Sequence, residues 1–146
     1  PKRPRWFSLD DPKTQSRLEA GPKALTWVVG TDDLDTVVAA SPVELGEIVT
    51  FQRGERSWRM TIPQDGQMPF NGLLPVFIEW SPGPHPSKSQ QDLGVRLTNI
   101  RISTSDASQL TEIFARLRIE TLATVEEGPE GLFFELETRK GRETLD

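Results

Sequence analysis

The feature that most constrains the fold of this chain is a repeat in the order of its predicted elements. Alternating or continuous apolar runs predict strands, and apolar residues at helical spacing predict helices, in the order strand, helix, strand, turn, strand. This order occurs twice. The first strands are centred near Thr26 and Thr98 and the third strands near Ile62 and Phe134, an offset of 72 residues in both pairs. Repeats of this kind are copies of one supersecondary unit, so the sequence predicts two modules.

The two modules are predicted over residues 24–80 and 95–146. Asp32 and Asp33 offer capping oxygens to a short helix at 34–40, and a second helix ending near residue 117 has apolar residues at positions i, i+3, i+4 and i+7. The predicted strands span 24–30, 47–52, 57–62 and 73–80 in the first module and 95–103, 121–126, 132–138 and a partial 142–145 in the second, with turns at 53–56 and 127–131.

Neither module can bury its sheet alone, so we expect an α+β fold built from two β-α-β-β-β modules. We expect them to form one curved mixed sheet with the helices on its outer face and a concave inner face, where a small molecule binds. Residues 81–94 form a Pro/Gly-rich loop between the modules, and three prolines between residues 82 and 86 make its first part stiff. Residues 1–23 form a lead-in.

Composition excludes several kinds of site. The chain has no cysteine, which excludes a disulfide framework, a thiolate nucleophile and a cysteine-ligated metal, and its single histidine excludes a metal site with two histidines from one chain. No phosphate-binding loop, nucleophile elbow or zinc-protease motif is present. No apolar run approaches the ~20 residues that a membrane helix needs, and we expect no signal peptide. We therefore expect a cytoplasmic protein that does not bind membranes.

Charge is distributed unevenly along the chain. The net charge is −5 overall, whereas residues 1–23 carry +3 and the remainder −8. A basic opening that contains Trp6 and Phe7 has two interpretations: an arm that contacts nucleic acid, or a lead-in whose aromatic residues pack against the body. Because the acidic body repels phosphate, we favour packing and expect no nucleic-acid partner.

Several stretches of the first module carry a family resemblance. They are Thr26–Val29, Asp32–Asp35 with the helix end Val38–Ala40, Arg53–Gly54 with Trp58, and Leu74–Trp80 followed by His85–Pro86. The last is the most specific. Together with the repeated β-α-β-β-β order, they resemble the glyoxalase-like domain family of the vicinal oxygen chelate superfamily over roughly residues 24–138. Members of that family usually carry a further module upstream, so we expect either such a module or association with a second copy in a homodimer.

The resemblance implies a divalent metal in the concave sheet, bound by side chains from the first and fourth strands of each module. Glu79 occupies the fourth-strand position and is the only candidate ligand, because the first strands offer no suitable partners. Two other roles are open to Glu79. It acts as a general base at the mouth of the pocket, or it accepts backbone N–H groups and pairs with an arginine such as Arg59 or Arg101.

Other candidate site residues surround this strand. His85, held between two prolines, is either an acid/base or substrate-binding group at the rim of the cavity, or a loop anchor. Trp27, Trp58 and Trp80 either line a pocket that stacks on a flat ligand or belong to the core, and Arg59 is the candidate for polar contacts with the ligand. With Glu79 and His85 as the catalytic pair, the expected chemistry is that of a lyase or isomerase acting on a carbonyl or vicinal-oxygen compound. The alternatives are a module that binds or sequesters a small molecule without catalysis, and a domain that acts through assembly.

Overall fold

The computed structural model describes residues 4–146, which form three α-helices and eight strands. None of the helices in this range is long and apolar enough to cross a membrane. Two short 3-10 turns, Pro69–Gly72 and Pro86–Ser89, precede and follow β4. The elements are, in chain order, α1 (Pro12–Glu19), β1 (Val28–Gly30), α2 (Leu34–Ala40), β2 (Glu47–Arg53), β3 (Arg56–Ile62), β4 (Val76–Trp80), β5 (Arg96–Thr104), α3 (Ala107–Leu117), β6 (Thr124–Glu127), β7 (Gly131–Thr138) and β8 (Gly141–Leu145).

The first module forms a sheet in the order β1-β4-β3-β2, in which β4 lies parallel to β1 and antiparallel to β3. The connection between β3 and β4, residues 63–75, is long enough to return the chain to the side of β1. Gly72 makes this return possible: its φ is +93°, and a Cβ there would lie 1.8 Å from the carbonyl oxygen of Leu25. The last strand of this module therefore pairs with the first.

The second module forms a sheet in the order β6-β5-β7-β8, in which β6 lies parallel to β5 through the α3 crossover. Residues 128–130 then cross the end of β5 to begin β7 on its other side. The amide of Gly128 donates to the carbonyl oxygen of Thr104 (3.2 Å), and a Cβ at Gly128 would lie 2.5 Å from Oγ of Ser103. A glycine at this position lets the short link pass closely over β5.

The α+β class and the two β-α-β-β-β modules predicted from the sequence are confirmed. The strands are divided between two hydrogen-bonded sheets where one curved sheet was expected, and the strands of the two modules pair differently. The turn at 127–131 accordingly joins two strands that lie on either side of β5. The predicted strand at 73–80 begins only at Val76, because Pro75 has no amide hydrogen to donate to a sheet.

One apolar core joins the two modules. Its residues come from the helix-facing sides of both sheets and from α2 and α3, which contact each other. The rings of Trp27 and Phe114 meet edge to face with their centroids 5.8 Å apart. The modules therefore share their main hydrophobic stabilisation. The fully buried residues of this core are led by Phe77, Phe114, Leu34, Leu74, Ile102 and Leu110.

The lead-in packs against the first module. The ring of Trp6 meets that of Phe51 edge to face at 5.0 Å, and the buried Ser8 donates its amide to the carbonyl oxygen of Gly66 (2.8 Å) and accepts from the amide of Met68 at Oγ (3.0 Å). These contacts agree with the packed interpretation of the basic opening. Residues 1–3, with their two basic side chains, lie outside the described residues.

Candidate functional site

The pairing of β3 with β4 decides which predicted site residues lie together. Arg59 is the register partner of Glu79, and Trp58 is the register partner of Trp80. Because successive side chains of a strand point to opposite faces of a sheet, the Arg59–Glu79 pair and the Trp58–Trp80 pair lie on opposite faces. The structure therefore divides the residues that the sequence grouped as one site.

Glu79 lies on the face that carries α2. Its Oε2 accepts from the amide of Leu34, the first residue of that helix, at 2.8 Å. The guanidinium of Arg59 donates from Nη2 to Oε2 at 2.8 Å and to Oε1 at 2.9 Å, and it also donates to Asp35 at 2.8 Å. The hydrogen bonds from Arg59, followed by the one from the Leu34 amide, hold the pKa of Glu79 below its usual value of 4.5. Glu79 therefore ties the start of α2 to the sheet.

These contacts bear on the roles expected for Glu79. A general base at neutral pH works best when its pKa is raised towards that pH, whereas the surroundings of Glu79 lower it. Both of its carboxylate oxygens are already engaged by protein donors. The arrangement is the structural alternative that the sequence left open, a pair with Arg59 together with a backbone N–H.

The residues around Glu79 do not fit a divalent metal. The guanidinium of Arg59 lies where a cation would have to approach the carboxylate, and a metal would displace three hydrogen bonds from that side chain. Within residues 4–146 there is no group of three His, Cys, Asp or Glu side chains that could hold a metal ion. Glu79 and its neighbours therefore do not form the metal site that the resemblance implies.

Trp27 belongs to the shared core. It is 5% exposed, and its indole N–H donates to the carbonyl oxygen of Leu73 at 2.9 Å. Its ring packs against Phe114 of the second module. A ligand that reaches Trp58 or Trp80 from solvent approaches the opposite face of the first sheet, so the structure separates Trp27 from the other two tryptophans.

The face opposite α2 carries a continuous row of aromatic rings. Trp6 packs on Phe51, Phe51 stacks on Trp58 at 5.7 Å, Trp58 meets Trp80 at 5.2 Å, and Trp80 meets the imidazole of His85 edge to face at 5.6 Å. The lead-in covers the first end of this row. The other end, Trp80 with His85, borders the Pro/Gly-rich loop, and both residues line clefts open to solvent.

The cleft beside β1 has a volume of about 360 Å³. Its floor is formed by the end of β1 and the residues after it, Gly30–Asp32, and its wall by Trp80, His85 and the loop between them. A second cleft of about 300 Å³ lies on the other side of the same loop, towards Arg56. Both volumes reach the lower end of the range typical of small-molecule sites.

Hydrogen bonds hold the loop that separates the two clefts. The hydroxyls of Ser57 and Ser81 lie 2.6 Å apart, and Arg56 donates to Oγ of Ser89 at 3.1 Å. Nδ1 of His85 accepts from the amide of Ser87 at 3.2 Å and lies 2.8 Å from the hydroxyl oxygen of the same residue. His85 thus anchors the short 3-10 turn, and it also lines the cleft beside β1.

Comparison with known proteins decides the family. The profile of a family described as glyoxalase-like domain matches residues 1–118, which is most of the chain. The chain belongs to the glyoxalase-like domain family. This family lies within the vicinal oxygen chelate superfamily, as the motifs in the sequence indicated. No curated protein and no solved structure matches the chain.

The family match covers a defined part of this glyoxalase-like domain. It includes the lead-in, all of the first module, β5 and α3, and it ends before β6. Strands β6, β7 and β8 lie beyond the matched residues. The aromatic row and both clefts lie within the matched residues.

Sequence reasoning missed two residues that shape the cleft. The sequence predicts Asp32 as a capping residue, whereas it lines the cleft, and Asp33 caps α2 by accepting from the amide of Thr36 at 2.9 Å. Ser81 was interpreted only as part of the loop, although it links the loop to β3 through Ser57. The alternation of side chains along β4 was the available signal that Glu79 and Trp80 face opposite ways.

Proposed function

We propose that this glyoxalase-like domain binds a small planar organic molecule in the cleft formed by Trp80, His85 and the end of β1. The observation that carries the proposal is that Trp80 and His85 line one cleft of about 360 Å³. An aromatic wall offers stacking to a flat ligand, and an imidazole N–H offers one oriented hydrogen bond.

The rigidity of the site supports binding. Trp80 packs against Trp58 and His85, and the loop is tied to the tip of the β2–β3 hairpin through Ser57 and Arg56. A site whose side chains are already ordered loses less conformational entropy when a ligand enters. The cleft is thus suited to a ligand without rearrangement of the sheet.

Binding without catalysis is the form of the proposal that the geometry favours. The lyase or isomerase chemistry implied by the resemblance was to use Glu79 with His85, but Glu79 lies on the other face of the sheet and its oxygens are engaged by Arg59 and Leu34. Trp80 and His85 are the predicted site residues that line one cleft together. The cytoplasmic location and the homodimer or upstream module remain predictions.

The experiment is calorimetric titration with quinoline, a neutral planar probe, against the wild type and two site variants. Trp80→Leu removes the stacking surface, and we expect it to weaken binding about tenfold. His85→Asn keeps an oxygen that can accept from the amide of Ser87 while removing the imidazole, and we expect a smaller loss.

Trp6→Leu is the matched control, because Trp6 lies at the far end of the same aromatic row and lines neither cleft beside the loop. We expect it to bind quinoline like the wild type. Equal affinity of the wild type and both site variants, each shown to be folded by its thermal transition, would contradict the proposal. Loss of binding in Trp6→Leu alone would also contradict it.

A further inference from the structure

The acidic residues that follow β1 have different partners. Asp33 caps α2 through the amide and hydroxyl of Thr36, and Asp35 pairs with Arg59. Asp32 differs from both. Within residues 4–146 no hydrogen bond or ion pair engages its carboxylate, the residue is exposed, and it lines the cleft together with Trp80. This carboxylate is therefore available to a ligand.

The charge on the lining of the cleft is negative. Asp32 is the charged side chain among the cleft residues, which otherwise consist of small, proline, hydroxyl, indole and imidazole groups. The neighbouring cleft across the loop contributes one acid, Glu55, and one base, Arg56, which donates to Ser89. An anion entering beside Trp80 would meet a carboxylate without a neutralising cation in the wall.

The backbone N–H groups at the start of α2 do not add a free donor for an anion. At the start of α2, the amide of Leu34 donates to Glu79 and the amide of Thr36 donates to Asp33. These donors, which could otherwise attract an anion, are occupied by the protein's own carboxylates. The electrostatics of the cleft therefore favour positive charge.

We propose that the ligand of this cleft is a planar organic cation, whose ring stacks on Trp80 and whose positive charge is neutralised by Asp32. This inference rests on the proposed function and narrows it to one class of ligand. The electron-rich face of an indole attracts cations, and indole is the aromatic group that does so best. A carboxylate beside the ring adds a Coulomb attraction, which solvent reduces because the cleft is open.

The test compares three probes that share one ring system: N-methylquinolinium, which is a cation, quinoline, which is neutral, and quinaldate, which is an anion. Calorimetric titrations are made at one mildly alkaline pH, where quinoline is neutral and quinaldate is an anion. We expect the cation to bind about tenfold more tightly than quinoline, and quinaldate to bind more weakly than either.

Asp32→Asn keeps the size of the side chain and removes its charge, and we expect the affinities for the cation and for quinoline to become nearly equal. Asp106→Asn is the matched control: Asp106 is also exposed and makes no side-chain capping hydrogen bond to its helix. It should retain the preference for the cation.

Outcomes for the two proposals can be told apart. If quinoline binds through Trp80 but N-methylquinolinium binds no better, or if Asp32→Asn leaves the preference unchanged, the inference about charge is wrong and the proposed function stands. If quinaldate binds most tightly, the inference is likewise wrong. If none of the three probes binds, both proposals are contradicted.

Discussion

The two modules of this protein use the same order of elements to build different sheets. In the first, β4 returns to lie beside β1, and the connection 63–75 is long enough for that return. In the second, β6 lies beside β5 directly after α3, and residues 128–130 cross the end of β5. Element order in a sequence therefore does not determine strand pairing. The length of the connections and the positions of glycines contribute to that choice.

The modules also use an arginine–carboxylate pair in different ways. In the first, Arg59 and Glu79 lie under the start of α2 and join helix to sheet. In the second, Arg101 lies over the ring of Phe133 at 4.0 Å and pairs with Glu126 at 2.8 Å on a more exposed part of the sheet. The surroundings of a charged pair decide whether it holds a helix against the sheet or only lies on the surface.

The largest effect is expected where the modules meet. Phe114→Ala removes a fully buried ring that contacts Trp27, and we expect it to lower the free energy of unfolding by about 3–5 kcal/mol. Because one core serves both modules, chemical denaturation should show a single transition shifted as a whole.

The control for that variant is Leu122→Ala, since Leu122 is 46% exposed and should change stability little. Two separate transitions in Phe114→Ala, with one module unfolding at the wild-type denaturant concentration, would show that the modules do not share a core.

A medium effect on stability is expected where residues 128–130 cross the end of β5 in the second module. Gly128→Ala places a Cβ 2.5 Å from Oγ of the buried Ser103, and we expect a loss of about 1–3 kcal/mol in the free energy of unfolding.

Gly30→Ala is the matched substitution in the first module, because a Cβ at this position would meet no atom within 4 Å and the φ of Gly30 is not positive. It should be neutral or slightly stabilising. Equal effects of the two substitutions would mean that the link does not pass closely over β5.

A smaller difference in stability is expected between variants of the two arginine–carboxylate pairs. Glu79→Gln removes the charge that joins Arg59 to the amide of Leu34, and we expect a loss of about 1–2 kcal/mol in the free energy of unfolding. Glu126→Gln changes the more exposed pair of the second module and should cost less than about 1 kcal/mol. A larger loss in Glu126→Gln than in Glu79→Gln, measured by denaturant titration, would reverse the comparison.

The acid dependence of stability gives the smallest effect. The pKa of Glu79 is lower in the folded chain than its usual value of 4.5, so its contribution is present above about that pH and is lost as the pH falls further. Thermal unfolding of Glu79→Gln below pH ~4.5 should therefore depend less steeply on pH than that of the wild type. If the thermal stability of Glu79→Gln and of the wild type depended equally on pH, Glu79 would add nothing to the acid sensitivity. Asp10, Asp33 and Asp92 also contribute to this sensitivity, because their pKa values are lowered as well.

Much of the fold could be predicted from the sequence, because local signals determine local elements. The caps before α2 and the apolar spacing of α3 predicted those two helices, and the Gly54 turn predicted the β2–β3 hairpin, whereas α1 was not predicted. These local signals could not predict strand pairing, because the pairing depends on the path that the connections 63–75 and 128–130 take past the sheets.

The candidate site was predicted in part for a related reason. The resemblance drew attention to Glu79, Trp80 and His85 as neighbours in sequence, and Trp80 and His85 are indeed neighbours in space. Glu79 is turned to the other face by the alternation of β4. The role that we propose for Asp32 could not be predicted from the sequence, because Asp33 and Asp35 are equally acidic and only their hydrogen-bond partners distinguish them from Asp32.

A nuclear magnetic resonance titration that locates the bound probe would decide whether the cleft beside Trp80 is the binding site. As N-methylquinolinium is added, the indole N–H of Trp80 and the amides of the loop after it should shift most, while the indole N–H of Trp27 in the core should stay in place. This result would place the ligand in the cleft of the first module. Largest shifts around Arg101 and Phe133 in the second module, or shifts at Trp27 equal to those at Trp80, would contradict it.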